Sequence, residues 1–396
     1  MCPLTHRDFF MTRVLLLIDC ISEFDRRLLR GLVRFAKEEG DWLFYRMPPS
    51  SFGPHSPDGA KTVADWARKW KADAIAGRWV FPDTKVLSHL GIPVVLQNIS
   101  SRSKQFSNLT GDYYGTGEIA ADFFFRRRFR NYAYFGIKDL VWSEERRNGF
   151  CSRVEKLGGN YDELIVDVRN ERNEKMLTSW LQGLPKPAAV FACDDSHALI
   201  ISEACKMAGI PIPADVALLG VDDDELICEV SDPPISSISL DVEQGGYDLG
   251  VKLRELLLDK NRKPFNITIK PGVIVQRAST QRHNIKDPYI SQLVKYIDDH
   301  FNQEISTSDI LDQIPLSRRS IELKFKREMG GVTIYKYLTS CRIEHFAQLL
   351  STTDLPLGEI AAMAGISDYS NFSRIFKKQK GVSPLDFRKR IRQQDP

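Results

Sequence analysis

Residues 359–378 read EIAAMAGISDYSNFSRIFKK, and this stretch decides the fold of the C-terminal part of the chain. Residues 357–364 form an Ala-rich helical pattern, Gly365 permits a turn, and a second helix runs over 368–380 with Phe372, Ile375 and Phe376 on its buried side. Its opposite face shows Ser370, Asn371 and Arg374. A short helix, a Gly-containing turn and a second helix make a helix-turn-helix unit, whose second helix fits a DNA major groove.

Upstream the pattern repeats. Ser306 and Ser308 cap a short helix through Gln313, and Ser317 caps a helix over 318–329 that buries Ile321 and Phe325. Arg318, Arg319, Glu322 and Lys326 fall on its other faces. A long helix over 333–350 joins the two halves, and one over 289–301 precedes both. Residues 288–394 are therefore predicted to form an all-α domain with two helix-turn-helix motifs.

Before Ile285 the texture is different. Short β-rich apolar runs at 14–18, 74–75, 92–96, 132–136, 188–192 and 216–221 alternate with helical patterns such as 28–37 and 195–208. Gly209 stops the latter, with Pro211 and Pro213 just beyond. Residues 48–59 and 98–107 read as Pro-rich or polar loops. This alternation predicts an α/β domain of parallel sheets over residues 12–284. Such open sheets bind ligands at the carboxyl ends of their strands.

The chain has 396 residues and a net charge of +3. From Pro288 onward there are 16 Lys/Arg against 13 Asp/Glu, so the α/β part is neutral and the surplus lies wholly in the helical part. Lys377, Lys378, Lys380, Arg388, Lys389, Arg390 and Arg392 crowd 16 residues that hold one acid, Asp386. Clustered Lys and Arg neutralise phosphates, Arg reads guanine and Asn reads adenine, so double-stranded DNA is the expected partner. Seven scattered cysteines without a CxxC pair argue against a disulfide framework or a zinc site, and the Cys193/His197 pair has no further ligands beside it. The first apolar run, 14–18, is too short for a secretion signal or a membrane span. A soluble cytoplasmic protein with no membrane association, no metal and no cofactor is expected.

Residues 359–378 together with 381–388 resemble the signature of AraC/XylS-type transcription regulators, and 316–330 resemble that family's first recognition helix. The resemblance covers about 290–392. It implies that Arg319, Glu322 and Leu323 face bases from the first helix and Ser370, Asn371 and Arg374 from the second, with Arg318 and Lys378 beside them in the DNA-binding set. Leu323 stands where that family often has Arg. Segments 190–199 (VFACDDSHAL), 209–223 (GIPIPADVALLGVDD), 233–238 (PPISSI) and 146–150 (RRNGF) resemble the LacI/GalR sugar-sensing regulators and their periplasmic-binding-protein relatives. That resemblance implies two lobes closing on a sugar. Its sugar-contacting positions fall on Phe24, Asp25, Arg26, Trp79, Arg146, Asp194 and Asp222, with Asp194 in place of a common Asn. Charged side chains pair with hydroxyls and an aromatic face takes the C–H side of a sugar.

Together the two resemblances imply a homodimeric, ligand-responsive regulator. Its effector is expected to be a pentose, xylose foremost, and RNA polymerase becomes a further partner if it activates. Two alternatives remain: a sugar-converting enzyme on a doubly wound fold, and a DNA-binding protein that needs no ligand. Against the enzyme, no GxSxG, HExxH, P-loop or Cys/His signature is found. Residues 115–120 match GxGxxA with Asp139 downstream, but the preceding residues 106–114 do not read as a buried strand, so no dinucleotide site is expected. The acidic run from Asp222 to Glu225 reads as a solvated loop and not a metal site.

Overall fold

The computed structural model describes residues 11–48, 58–81, 84–98, 101–259, 263–281, 285, 287–329, 331–353 and 355–393. Much of the loop expected at 48–59 and the end of the expected α/β domain at 282–284 lie outside these residues.

In chain order the first part runs β1 (Thr12–Leu17), α1 (Glu23–Glu39), β2 (Trp42–Arg46), α2 (Gly59–Lys69), β3 (Ala74–Trp79), α3 (Lys85–Ser88), β4 (Val94–Asn98) and β5 (Ser107–Gly111). It continues with α4 (Tyr113–Arg126), β6 (Asn131–Ile137), α5 (Val141–Lys156), β7 (Asn160–Val166), α6 (Glu174–Gly183), β8 (Ala188–Ala192), α7 (Asp195–Met207), β9 (Val216–Asp222), α8 (Glu225–Val230) and β10 (Ser236–Leu240). α9 (Val242–Leu258), β11 (Asn266–Ile269) and β12 (Pro271–Val275) end it. The strands form two six-stranded sheets, β11-β5-β4-β3-β1-β2 and β12-β10-β9-β8-β6-β7, parallel except for β12 against β10. Each sheet is the centre of one lobe. The chain crosses between lobes three times, after β5, β10 and β11.

β1 shows why the strands are so apolar. Val14 and Leu16 join one hydrophobic cluster with α1, while Leu15 and Leu17 join another with Val63 and Ala67 of α2. Side chains alternate across a strand, so a sheet covered by helices on both faces buries every residue of its central strands. Two helix crossings tie the lobes internally through glycine. A Cβ at Gly117 of α4 would lie 2.2 Å from the Arg146 carbonyl oxygen of α5, and one at Gly31 of α1 would lie 1.8 Å from that of Glu243 on α9. Only hydrogen fits in such spaces.

One expectation is corrected here. Residues 107–111 are a strand, β5, buried along its whole length, leading straight into α4. The strand is polar because its groups are satisfied laterally: the Asn108 amide donates to Ser103 O at 2.9 Å and to Asn266 Oδ1 at 3.0 Å. The strand-then-helix context of the GxGxxA match is therefore present, yet its glycines do another job. Gly117 packs against α5, and the first turn of α4 is already capped by Asp112, whose carboxylate accepts from the Gly115 N–H at 2.9 Å.

The second part is helical throughout its described residues: α10 (Pro288–His300), α11 (Thr307–Leu311), α12 (Arg318–Glu328), α13 (Ile334–Thr352), α14 (Leu357–Met363), α15 (Tyr369–Lys380) and α16 (Pro384–Gln393). It has two separate cores. Ile290, Ile310, Ile321, Phe325 and Leu338 make the first, and Phe346, Ile360, Phe372 and Phe376 the second, with α13 running through both. Ser306 closes a capping box with Asp309, and Ser317 accepts from Ser320 N, so both α11 and α12 begin where a hydroxyl satisfies their free N–H groups. In the second half Gly365, at φ +69, lets the α14–α15 turn pass under the Gln303 and Phe301 carbonyls.

Candidate functional site

The strand carboxyl ends of the two sheets bring most of the predicted ligand residues to one cleft. On the first lobe, Ser22 caps α1 by accepting from Asp25 N at 3.1 Å. Asp25 is buried and receives Arg78 Nη2 at 3.1 Å. Burial pushes its carboxyl above the usual range against the pull of Arg78. Arg26 is folded onto its own loop, bonding Glu23 at 2.9 Å and the Ile21 carbonyl, and Phe24 packs half-buried on the core. Trp79 is buried at the end of β3 with its ring edge-on to Phe81, so it belongs to the lobe core.

On the second lobe Arg146 of α5 is 3% exposed. It donates to the Cys193 carbonyl, lies 3.5 Å from Asp222 Oδ1, and sits over the Trp142 and Tyr113 rings, 5.5 Å from each. Asp194 caps α7, its Oδ1 accepting from His197 N at 2.8 Å and meeting His197 Nδ1 at 2.6 Å. Burial would raise Asp194, but His197 outweighs it and holds the carboxyl below its usual range. For His197 burial works against charge, yet Cys193 and Asp194 prevail and hold the imidazole above its ordinary value. Burial drives Asp222 up to about 7, with Arg146 pulling it back and Asp194 adding to the rise. The backbone at Asp222 and Asp223 has φ of +102 and +52, a strained conformation that clusters at functional loops.

The lobes meet at this loop. Arg27 of α1 donates to the Asp222 and Asp223 carbonyls at 3.4 and 2.9 Å, and Glu23 N donates to Asp224 Oδ2 at 3.3 Å. Arg78 Nε and Arg146 Nε are buried without a hydrogen bond inside the chain, and His197 Nε2 and Asp222 Oδ1 have only long ion-pair contacts, to Glu171 at 3.4 Å and to Arg146 at 3.5 Å. Buried polar atoms are normally satisfied, so a set spanning two lobes fits a small ligand rich in hydroxyls. Sequence reasoning missed Arg27, Arg78, Trp142 and His197. Trp142 had a signal, since it lies one helical turn before Arg146.

The Cys193/His197 pair does have a neighbour, contrary to expectation: Asp194, Cys193 and His197 place their donor atoms within 4.8 Å of one another. The helix cap turns Asp194 back onto the first turn of α7, which brings them together. That carboxylate is already engaged by two His197 donors.

On the helical part, α15 turns Ser370, Arg374 and Lys378 outward with Asn371 half-exposed beside them, while Phe372 and Phe376 pack on Phe346. α12 exposes Arg318, Arg319, Glu322 and Leu323, with Arg318 Nε bonded to Glu322 Oε1 at 2.9 Å. The basic run needs one correction. Arg388 is 9% exposed and donates to the Leu355 carbonyl at 2.7 Å, so it is a structural residue. The side chains at 390 and 392 lie outside the described residues.

The family of periplasmic binding protein-like domains matches residues 121–280, and a helix-turn-helix domain family matches 310–390. The xylose operon regulatory protein of Escherichia coli K12 is 26% identical over 95% of this chain and 96% of its own length. The chain therefore joins a periplasmic-binding-protein-like domain to an AraC-type helix-turn-helix domain, the arrangement of that relative. The xylose operon regulatory protein of Haemophilus influenzae is 25% identical, over 95% of this chain and 98% of its own. A solved structure of the xylose-binding transcription activator XylR superposes with a TM-score of 0.56 at 24% identity, covering 95% of this chain and 97% of that one, and so shares the fold of this regulator. Both full-length relatives are named for gene regulation. Among its described residues no helix is long and apolar enough to cross a membrane.

Proposed function

We propose that this regulator is sugar-responsive: residues 12–284 close on a pentose, xylose before arabinose or ribose, and residues 288–394 read an operator. The observation that carries the sugar reading is the pair of the buried Arg146 with the half-buried Asp222. It offers a donor, Arg146 Nε, that has no hydrogen bond in the chain, and an acceptor, Asp222 Oδ1, that meets only Arg146 at 3.5 Å, beside the Trp142 ring. A vicinal diol supplies both a donor and an acceptor, and its C–H face suits an indole. Arg78 with Asp25 provides the matching polar wall on the other lobe. Xylose as the effector follows the names of the full-length relatives. The same reading makes the protein a cytoplasmic homodimer that activates by bringing RNA polymerase to the promoter.

On the DNA side the bases are read by Ser370, Asn371 and Arg374 from α15 and by Arg319, Glu322 and Leu323 from α12, flanked by Arg318 and Lys378. The two helices of one protomer enter successive major grooves. The test is a thermal-shift screen of common sugars on the full chain, followed by calorimetry and by selection of bound sequences from random DNA. At a hundredfold excess over Kd a sugar adds about 2.7 kcal/mol, which raises melting by about 5 to 10 °C. Selected DNA bound with no sugar raising the melting point would favour the ligand-independent reading. Turnover of a sugar would revive the enzyme.

A further inference from the structure

We infer that Arg127 and Arg128, just past the end of α4, form a docking surface of the sensor for the first helix-turn-helix of its own chain, and that α4 links this grip to the ligand cleft. The inference deepens the reading above and rests on it for the effector.

α4 has 14 residues and so spans about 21 Å. At its start the Tyr113 ring lies 5.5 Å from the Arg146 guanidinium, inside the cleft. At its end the chain turns at Arg128, whose φ of +67 is a left-handed conformation that side chains rarely adopt. That turn aims the Arg128 guanidinium at the carbonyl of Met329, the C-cap of α12. A cation on the last carbonyls of a helix meets the negative end of its dipole, which suits both partners. The helix so held is the one that carries Arg319, Glu322 and Leu323.

Arg127 makes the second half of the grip. Its guanidinium lies 3.8 Å over the Phe123 ring and donates to Gln276, both within the sensor. It also faces Asp298 of α10 and Tyr337 and Cys341 of α13. Tyr337 donates to Asp298 at 2.8 Å, so the acidic acceptor is fixed in place. A half-buried guanidinium gains from such a partner, because partial desolvation of a charge is costly unless it is paired. α12 is also held from the linker side, where Lys324 donates to Asp287 at 2.6 Å. None of the four hydrophobic clusters of buried residues spans the boundary between sensor and reader among the described residues. The junction is therefore made of directed polar contacts, which a small rotation of α4 makes or breaks.

The test uses the full chain with Arg128→Gly and, separately, Arg127→Gln. Glycine accepts the left-handed turn, so Arg128→Gly removes the side chain while relaxing the backbone. The first readout is amide hydrogen exchange without ligand or DNA. Exchange in residues 318–345 is expected to speed up at least about fivefold while residues 369–380 keep their wild-type rates. Unchanged exchange in 318–345, or equal loosening of both segments, overturns the grip. The second readout compares affinity for DNA selected with the wild-type chain, with and without xylose. The ratio is expected to fall several-fold toward one in the variants, from within the usual range of about 5 to 150, and the ratio of xylose affinities with and without DNA falls by the same factor. A ratio equal to the wild type overturns the link through α4. A wild type that binds no sugar defeats the sugar reading, and the exchange result alone then judges the grip.

Discussion

On the proposed sugar reading, Asp222 makes effector binding depend on pH in a direction set by its surroundings. In the ligand-free chain its carboxyl titrates at about 7, raised by burial and opposed by Arg146 on α5 and Arg27 on α1, with Asp194 at the start of α7 adding like charge. Asp195 lies close by and is itself pushed well above the carboxylate range by burial and by Asp222. A sugar hydroxyl donating to Asp222 favours the ionised form. Binding then lowers the carboxyl's pKa and releases a proton below about pH 7. If the bound form stays ionised at pH 6, the fraction of competent free protein is about one in eleven there and about ten in eleven at pH 8. The affinity therefore rises about tenfold from pH 6 to pH 8, or about 1.4 kcal/mol. Asp222→Asn removes the titrating group, so its weaker affinity should be flat over the same range. Calorimetry at pH 6, 7 and 8 in two buffers of different ionisation enthalpy reads both the affinity and the protons released. A wild-type affinity that is flat or rises on acidification, or an Asn variant with the full slope, would refute the reasoning. The raised pKa has a second consequence with its own sign. The unfolded carboxyl ionises near its ordinary value of 3.8 while the folded one stays protonated, so stability is lost as pH rises from about 4 to about 7. The ligand-free chain should lose less melting temperature over that range once Asp222 is Asn.

Arg27→Met removes two bonds across the cleft while keeping an apolar stem, and it should weaken sugar binding about tenfold in calorimetry; unchanged affinity would deny Arg27 a role in closure. Arg374→Ala should cost about 1 to 3 kcal/mol and relax base preference at one position, whereas Lys378→Ala should weaken all sequences alike and reduce the salt slope by about one. Arg388→Ala should lower the melting temperature by a few degrees through the unpaired Leu355 carbonyl yet leave the salt slope of DNA binding intact; a changed slope would return Arg388 to the phosphate-binding set. Leu323, 62% exposed on α12, matches a thymine methyl, worth about 0.8 kcal/mol. Replacing dT by dU in the selected DNA should therefore cost the wild type about fourfold and the Leu323→Ala variant nothing.

What the sequence revealed of the sheets follows from where each strand lies. β1, β8 and β9 are central and covered on both faces, so they read as unbroken apolar runs. The strands that escaped notice include β2, β7, β11 and β12, which are the four edges of the two sheets. Edge strands are only half covered and carry polar residues, as in Asn160–Val166 with its exposed Asp162 and Glu163. The other two, β5 and β10, are polar for another reason. Both feed crossovers between lobes, and their Asn and Ser side chains bond across the sheet, Ser236 to Thr280 at 2.7 Å among them. The cleft divides in a similar way. Arg146, Asp194 and Asp222 lie in segments with a family pattern. Arg27 and Arg78 act through partners 195 and 53 residues away, which no local pattern displays.

The modest charge of the reader also takes on meaning once its cations are placed. Arg342 is spent on the carbonyls of Phe301, Gln303 and Ile305, Arg388 on that of Leu355, and Lys324 on Asp287. Each is committed within the fold, and a committed cation does little to neutralise phosphates. Arg374, Lys377 and Lys378, all exposed on α15, keep their charge for DNA. The two reading helices are thus unequal. α15 exposes Arg374, Lys377 and Lys378 and holds no acid, while α12 exposes Arg319, Lys326 and Arg327 but also carries Glu322, Glu328 and an apolar Leu323. On this distribution we propose that α15 anchors the protein to DNA and α12 adjusts the affinity. The helix whose DNA chemistry is weaker is also the one whose C-terminal carbonyl is held by Arg128 of the sensor. A ligand can shift an equilibrium only by the difference in its affinity for the two states, a matter of a few kcal/mol. Acting on the weaker helix, a shift of that size is enough to decide whether it engages, while the same shift against α15 would have to overcome the whole of the anchoring charge.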